Sequence, residues 1–327
     1  MAEETFVPPP MGWIDDQNAV WAAAGRLETA GNGPAVFAFA APALKAAGVA
    51  DDEPTFLWMA ERKVLGRLLP SWDQKSVGSC VSFGCGRAVQ DVLLQEVATG
   101  AGTWPGAEVA TEPIYAGSRV EVGGGQLSGS DGSVGAWAAE WVRKWGVLLC
   151  REYDLGGQRY DLTTYSEARA RQWGDAGCPD PLEPEARLHP VTATAMVRDA
   201  GELWAAVGGG KGVSVASSQG FAMSRDPDGF CAPAGVWMHQ MCVRGKFVHP
   251  QRGKCFVIQN SWGNYLKSYA SIRVRLPSGE MVVEPLPDGC FAVDWQTADR
   301  MVRQQDSWAF AGLKGWAAVR LTYNPLA

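Results

Sequence analysis

Four polar side chains, scattered through 327 residues, have the types and order that acyl-transfer chemistry needs: Gln74, Cys80, His239 and Asn260. A thiol attacks a carbonyl only as its thiolate, and a free cysteine with a pKa near ~8.5 is mostly protonated at neutral pH. Here Gly78 and Ser79 permit a tight turn just before Cys80. Val81, Cys85, Ala88 and Val92 then recur at helical spacing, with Val89 and Leu93 widening the stripe. That spacing predicts a helix from Cys80 to about Thr99, closed by Gly100. Backbone N–H groups at a helix start favour an anion, so Cys80 sits where a thiolate is stabilised. His239 lies inside the apolar run VWMHQMCVRGKFV at 236–248. A strand there gives the imidazole the fixed direction a general base requires. Asn260 follows a second strand-like run, KCFVIQ at 254–259, and its amide would hold the other ring nitrogen while Trp262 covers the bond. The NH₂ of Gln74, with the Cys80 backbone N–H, would form an oxyanion hole.

Singly, each of these residues is ordinary, since most helix cysteines and strand histidines are core residues. The order Gln, Cys, His, Asn is less ordinary, and the sequence around it resembles the papain family of cysteine peptidases. The carriers are Q-K-S-V-G-S-C at 74–80, C-V-S-F-G at 80–84, N-S-W-G at 260–263, and the glycine motif with its helix, SDGSVGAWAAEWVRKWG, at 130–146. ELWAAVGGGKGVSVAS at 202–217 resembles a further helix-then-strand region, so the likeness spans about residues 68–290. It implies Cys80 as nucleophile, His239 as base, Asn260 as orienter and Gln74 as oxyanion donor. It also implies a substrate cleft lined by Trp237 and Met238 on one side and Gly132 or Ser133 on the other, with Trp262 beside the histidine, and a preference for an apolar or small P2 side chain. There are departures. Val81 replaces a tryptophan, Val77 and Ser130 stand where secreted members carry a disulfide, and residues 1–65 show no recognisable inhibitory signature.

The elements needed to position these groups are legible in outline. Helical patterns come first; Trp137, Trp141 and Trp145, four apart, mark one buried face of a helix from about Val134 to Trp145. Strand patterns follow at 213–217, 236–248, 254–259, 270–276 and 281–286, with one more at 316–323. Short helices are expected at Trp21–Gly25 and Ala41–Ala47. The order predicts an α+β, papain-like, two-lobed fold: a helical lobe whose central helix starts at the nucleophile, and an antiparallel β-rich lobe. Residues 1–65 read as an N-terminal extension (pro-segment, packing arm or assembly surface), 66–300 as the peptidase domain, and 301–327 as a tail packed on the β lobe. His189 and His249, each before a proline, read as surface turn residues.

Composition narrows the field. A net charge of −6 and no Lys/Arg run argue against nucleic-acid binding. MAEETFVPPP lacks the basic and apolar regions of a secretory signal, and no 18-residue apolar stretch would span a membrane. The expectation is a soluble protein made in a cytoplasm, with release by lysis or packaging in a virion left open. Eight cysteines without CxxC, and three histidines off metal-ligand spacing, predict reduced thiols, no metal and no cofactor. The reading that follows is a cysteine peptidase acting on peptide or protein substrates. Two rivals remain: a papain-fold structural or binding subunit of a larger assembly, and a hydrolase of cell-wall peptides or isopeptides.

Overall fold

The computed structural model describes residues 8–29, 51–100 and 102–313. The expected helix at Ala41–Ala47 and strand at 316–323 lie outside those residues. The first helix, Gln17–Thr29, includes the one expected at Trp21–Gly25.

The framework of the β lobe is a seven-stranded antiparallel sheet. Its strands are β1 (Thr55–Phe56), β4 (Val191–Met196), β5 (Gly212–Phe221), β6 (Pro233–His249), β7 (Gly253–Gln259), β10 (Cys290–Asp294) and β11 (Trp308–Leu313). Six of them run in the order β10-β7-β6-β5-β11-β4, and β1 joins the far part of β6. Two small hairpins, β2–β3 (Glu152–Leu155 with Gln158–Asp161) and β8–β9 (Ser271–Arg275 with Met281–Pro285), stand apart from it. β6 is long, nearly all buried along its second half, and rich in Val, Met, Cys and Phe, as a central strand requires. Residues 55–65 are built into this body through β1 and the helix Met59–Leu65, and β11 lies between β5 and β4.

The helical lobe is arranged around Cys80–Ala98, of which all but one residue is buried. Its partners include Gly135–Lys144, where Trp137 and Trp141 are buried and Trp141 stacks on Trp145 at 5.1 Å. The tryptophan stripe is therefore core packing, as its spacing predicts. The Cys80 helix also lies directly on β6. A β-carbon on Gly84 would fall 3.0 Å from Gln240 Cγ and 3.1 Å from the Met241 carbonyl, so glycine there allows the close approach. This approach brings the start of the helix to the His239 region of the strand.

Further along the same contact sits a buried ionic cluster. Arg244 of β6 donates to Asp91 at 3.0 and 2.7 Å and to Glu61 at 2.5 Å, and Arg87 pairs with Glu61. All eight cysteines are free thiols. His249 corrects the surface reading: it is 1% exposed, and its Nδ1 accepts from the Gln251 and Arg252 backbone N–H groups, closing the turn from inside. Among the described residues, no helix is long and apolar enough to cross a membrane.

Candidate active site

Cys80 is the first residue of its helix and is fully buried. His239 and Asn260 come together through strand register. Cys242 of β6 pairs with Gln259 of β7, which puts Asn260 diagonally across from His239 on the same face. The His239 Nε2–Asn260 Oδ1 distance is 2.7 Å. Asn260 Oδ1 also accepts from the Ser261 N–H, and Asn260 Nδ2 donates to the Tyr265 hydroxyl. With the amide fixed that way, Oδ1 can only accept, so Nε2 carries the proton. His239 Nδ1 is left as the free acceptor, and no hydrogen bond engages it. Trp262 lies against the imidazole, ring centroids 4.9 Å apart, and Trp237 packs on Trp262 at 4.8 Å.

Burial sets the protonation of both groups. It pushes the Cys80 thiol up to about 12, against the pull of the backbone groups of Gln240, Gly12, Val81 and Cys80 itself. It pushes the His239 imidazole down to about 4, with the Asn260 bond opposing. Both groups are therefore neutral in this state.

Gln74 is buried and tied to the Asn260 loop. Its Oε1 accepts from Ser261 Oγ at 2.7 Å, and its backbone N–H donates to the Ser261 carbonyl. Its Nε2 donates to the carbonyls of Val77, at 3.0 Å, and Pro10, at 3.1 Å. The second acceptor belongs to an N-terminal segment that nothing in its sequence marks as part of the site. Residues Pro10–Ile14 run through the cleft. Ser133 N–H donates to the Gly12 carbonyl at 2.8 Å, Ile14 N–H to the Ser133 carbonyl at 3.0 Å, and Trp13 N–H to the Met238 carbonyl at 3.0 Å. A β-carbon on Gly12 would fall 1.9 Å from the Gly78 carbonyl oxygen, so only glycine passes this close to the turn before Cys80. Met11 packs against the cluster that contains Trp237 and Trp262.

The predicted cleft residues divide accordingly. Ser133 and Met238 meet the segment through their backbone groups. Gly132 also lies against the segment, since a β-carbon there would fall 3.1 Å from the Gly12 carbonyl oxygen and from Ile14, while its N–H donates to the Tyr115 hydroxyl and its carbonyl accepts from Arg119. Trp237 forms part of the wall behind His239.

The Trp13 indole is buried against Asp306, a residue with no motif to announce it. Trp13 Nε1 donates to Asp306 Oδ2 at 2.8 Å, alongside the Gly135 N–H at 2.7 Å, while Trp308 Nε1 donates to Oδ1 at 2.9 Å. Asp306 is 0% exposed, and burial raises its carboxyl to about 7 despite these donors. Among the described residues, no group of three or more His, Cys, Asp or Glu side chains is arranged to hold a metal.

No family model matches the chain, and no curated protein matches it by sequence. Solved structures do match in three dimensions. Xylellain, a cysteine protease from Xylella fastidiosa, aligns over 94% of each chain with a TM-score of 0.52 at 15% identity. The cysteine protease and lectin-like domains of Cwp84 from Clostridium difficile align over 76% of this chain and 50% of theirs, with a TM-score of 0.48 at 18% identity. The xylellain alignment, spanning both lobes at once, identifies the fold of this chain as that of the papain-like cysteine proteases.

Proposed function

We propose that the chain is a cysteine peptidase that hydrolyses peptide bonds through Cys80, His239, Asn260 and Gln74, and that its own N-terminal segment keeps it latent. The observation that carries this reading is the Pro10 carbonyl on Gln74 Nε2, with Gly12 against the Cys80 turn. A peptide carbonyl already occupies the donor that an oxyanion would use, and a peptide backbone already lies across the nucleophile.

With the segment displaced, water reaches both groups and the penalty on their charged forms falls. His239 Nδ1 then takes the Cys80 proton, and the thiolate attacks the substrate carbonyl. The oxyanion is held by Gln74 Nε2 and the Cys80 N–H. The proton on His239 passes to the leaving amine, and water cleaves the thioester by the same route. Substrate backbone would take over the hydrogen bonds that the Ser133 N–H and carbonyl and the Met238 carbonyl now make with residues 12–14.

The test is labelling by the epoxide E-64, read by intact mass and peptide mapping, on the wild type, Gly12→Val and Gly12→Val/Cys80→Ala. We expect slow labelling of the wild type. A single adduct on Cys80 should form about 100-fold faster in Gly12→Val and be absent from the double variant. A Cys80 no more reactive than the other seven cysteines in Gly12→Val would support a binding or structural role instead.

A further inference from the structure

The Asn260 amide directs His239, and it is held at both of its ends. Its Oδ1 accepts from the Ser261 N–H at 2.7 Å and lies 2.7 Å from His239 Nε2. Its Nδ2 donates at 3.2 Å to the hydroxyl of Tyr265, in the loop between β7 and β8. The Tyr265 ring also meets Trp262, with centroids 5.4 Å apart, and Trp262 in turn lies against the imidazole. One side chain thus backs both groups that fix His239 from this side. Burial pushes the Tyr265 phenol up, so its oxygen stays a hydroxyl wherever the site would work.

The two bonds at Oδ1 share one end of the amide, and on their own they act as a pivot. The bond at Nδ2 holds the far end and stops the swing. The three groups also form a chain, from imidazole through amide to phenol. When His239 takes a proton and becomes charged, its Nε2–H pulls harder on Oδ1. The amide then donates more strongly at Nδ2, and an acceptor placed there strengthens the whole chain.

We propose that Tyr265 is a positioning residue of the site, acting through Asn260. Its hydroxyl locks the amide, so that the His239–Asn260 bond keeps the ring directed and supports the charge His239 gains from the Cys80 proton. In its bearing on catalysis the assignment rests on the peptidase reading. Phenylalanine would fill the same space against Trp262, so the oxygen alone is at issue.

The first arm of the test compares peptide hydrolysis by Gly12→Val and Gly12→Val/Tyr265→Phe. Gly12→Val/Tyr153→Phe is the control, since the Tyr153 hydroxyl bonds the Leu149 backbone instead. Tyr265→Phe should lower kcat about tenfold and leave KM within about twofold. On the alkaline side activity falls as the imidazolium loses its proton, and that limb should move down by about half a pH unit. Tyr153→Phe should move neither. The second arm needs no activity. In the otherwise wild-type chain, NMR follows the His239 Nε2–H proton, identified by its loss in His239→Gln. Tyr265→Phe should speed its exchange with solvent about tenfold. An unchanged kcat, an unmoved alkaline limb or an unchanged proton each overturns the proposal. If no variant cleaves peptide, the peptidase reading has failed by itself, and the proton alone decides whether Tyr265 positions His239.

Discussion

The Cys80 helix and β6 meet twice, and the two meetings are built on opposite principles. At the head of the helix, Cys80 and His239 are buried as neutral groups with few polar partners. Farther along, Arg87 and Asp91 of the helix meet Arg244 of the strand, with Glu61 closing the group. Both places are sealed from water, but only the second balances its charges internally. There, Asp91 and Glu61 hold the Arg244 guanidinium well above its ordinary pKa against desolvation, and Arg244 and Arg87 keep the Glu61 carboxyl low. At the head of the helix desolvation prevails, and both groups stay uncharged. A structural cluster neutralises itself, whereas this site depends on what covers it.

The largest effect should come from breaking the balanced end. Arg244→Met leaves Asp91 and Glu61 buried with one guanidinium between them, and should cost about 3–5 kcal/mol. Cys80→Ala, which removes a neutral thiol, should cost far less. Urea unfolding of both variants checks the contrast. An Arg244→Met protein no less stable than Cys80→Ala would mean that the two ends do not differ as described.

The next effect is two-sided and concerns Gln74. In the Gly12→Val background, Gln74→Ala should lower kcat/KM by about 10²–10³, the usual cost of one oxyanion donor. In the otherwise wild-type chain the same substitution removes the donor to the Pro10 carbonyl and should speed E-64 labelling of Cys80. A slower reaction in both backgrounds would mean that Gln74 does not help to hold the segment in the cleft.

The sequence made some of this legible and left the rest dark, for physical reasons. The four polar residues sit in short segments whose neighbours are themselves constrained, so glycines before a helix and NSWG after a strand can be read locally. The helix starting at Cys80 and the β6 and β7 strands follow from periodicity alone. The Trp13–Asp306 bond joins residues 293 apart, and neither end has a local pattern. Gly12 looks like any loop glycine until the Gly78 carbonyl is beside it. His249 was misleading because His-Pro reads as an exposed turn, whereas here the ring closes that turn from the buried side. Contacts made only by tertiary folding bring Pro10 to Gln74, Gly12 to Gly78 and Trp13 to Asp306, and those are what the linear pattern lacks.

The smallest effect is a difference in how stability varies with pH, and it separates the two buried titrating groups. Asp306 is raised to about 7 in the folded chain, so between pH 7 and about 4 the folded state holds a proton that the unfolded chain has released. Its contribution to stability therefore grows as pH falls through that window. His239 is lowered to about 4, so between about 6.5 and 4 the unfolded chain binds the extra proton. Its contribution is complete above 6.5 and is lost on acidification. The two terms oppose each other over much of the same range and partly hide each other in the wild type. Subtracting unfolding curves of Asp306→Asn from the wild type at each pH should leave a difference that favours the wild type more as pH falls from 7 to 5. The same subtraction with His239→Gln should slope the other way. If both differences slope alike, the two groups are not held as burial in the closed cleft requires, and either Asp306 or His239 is more open to water than Trp13 and Gly12 would allow.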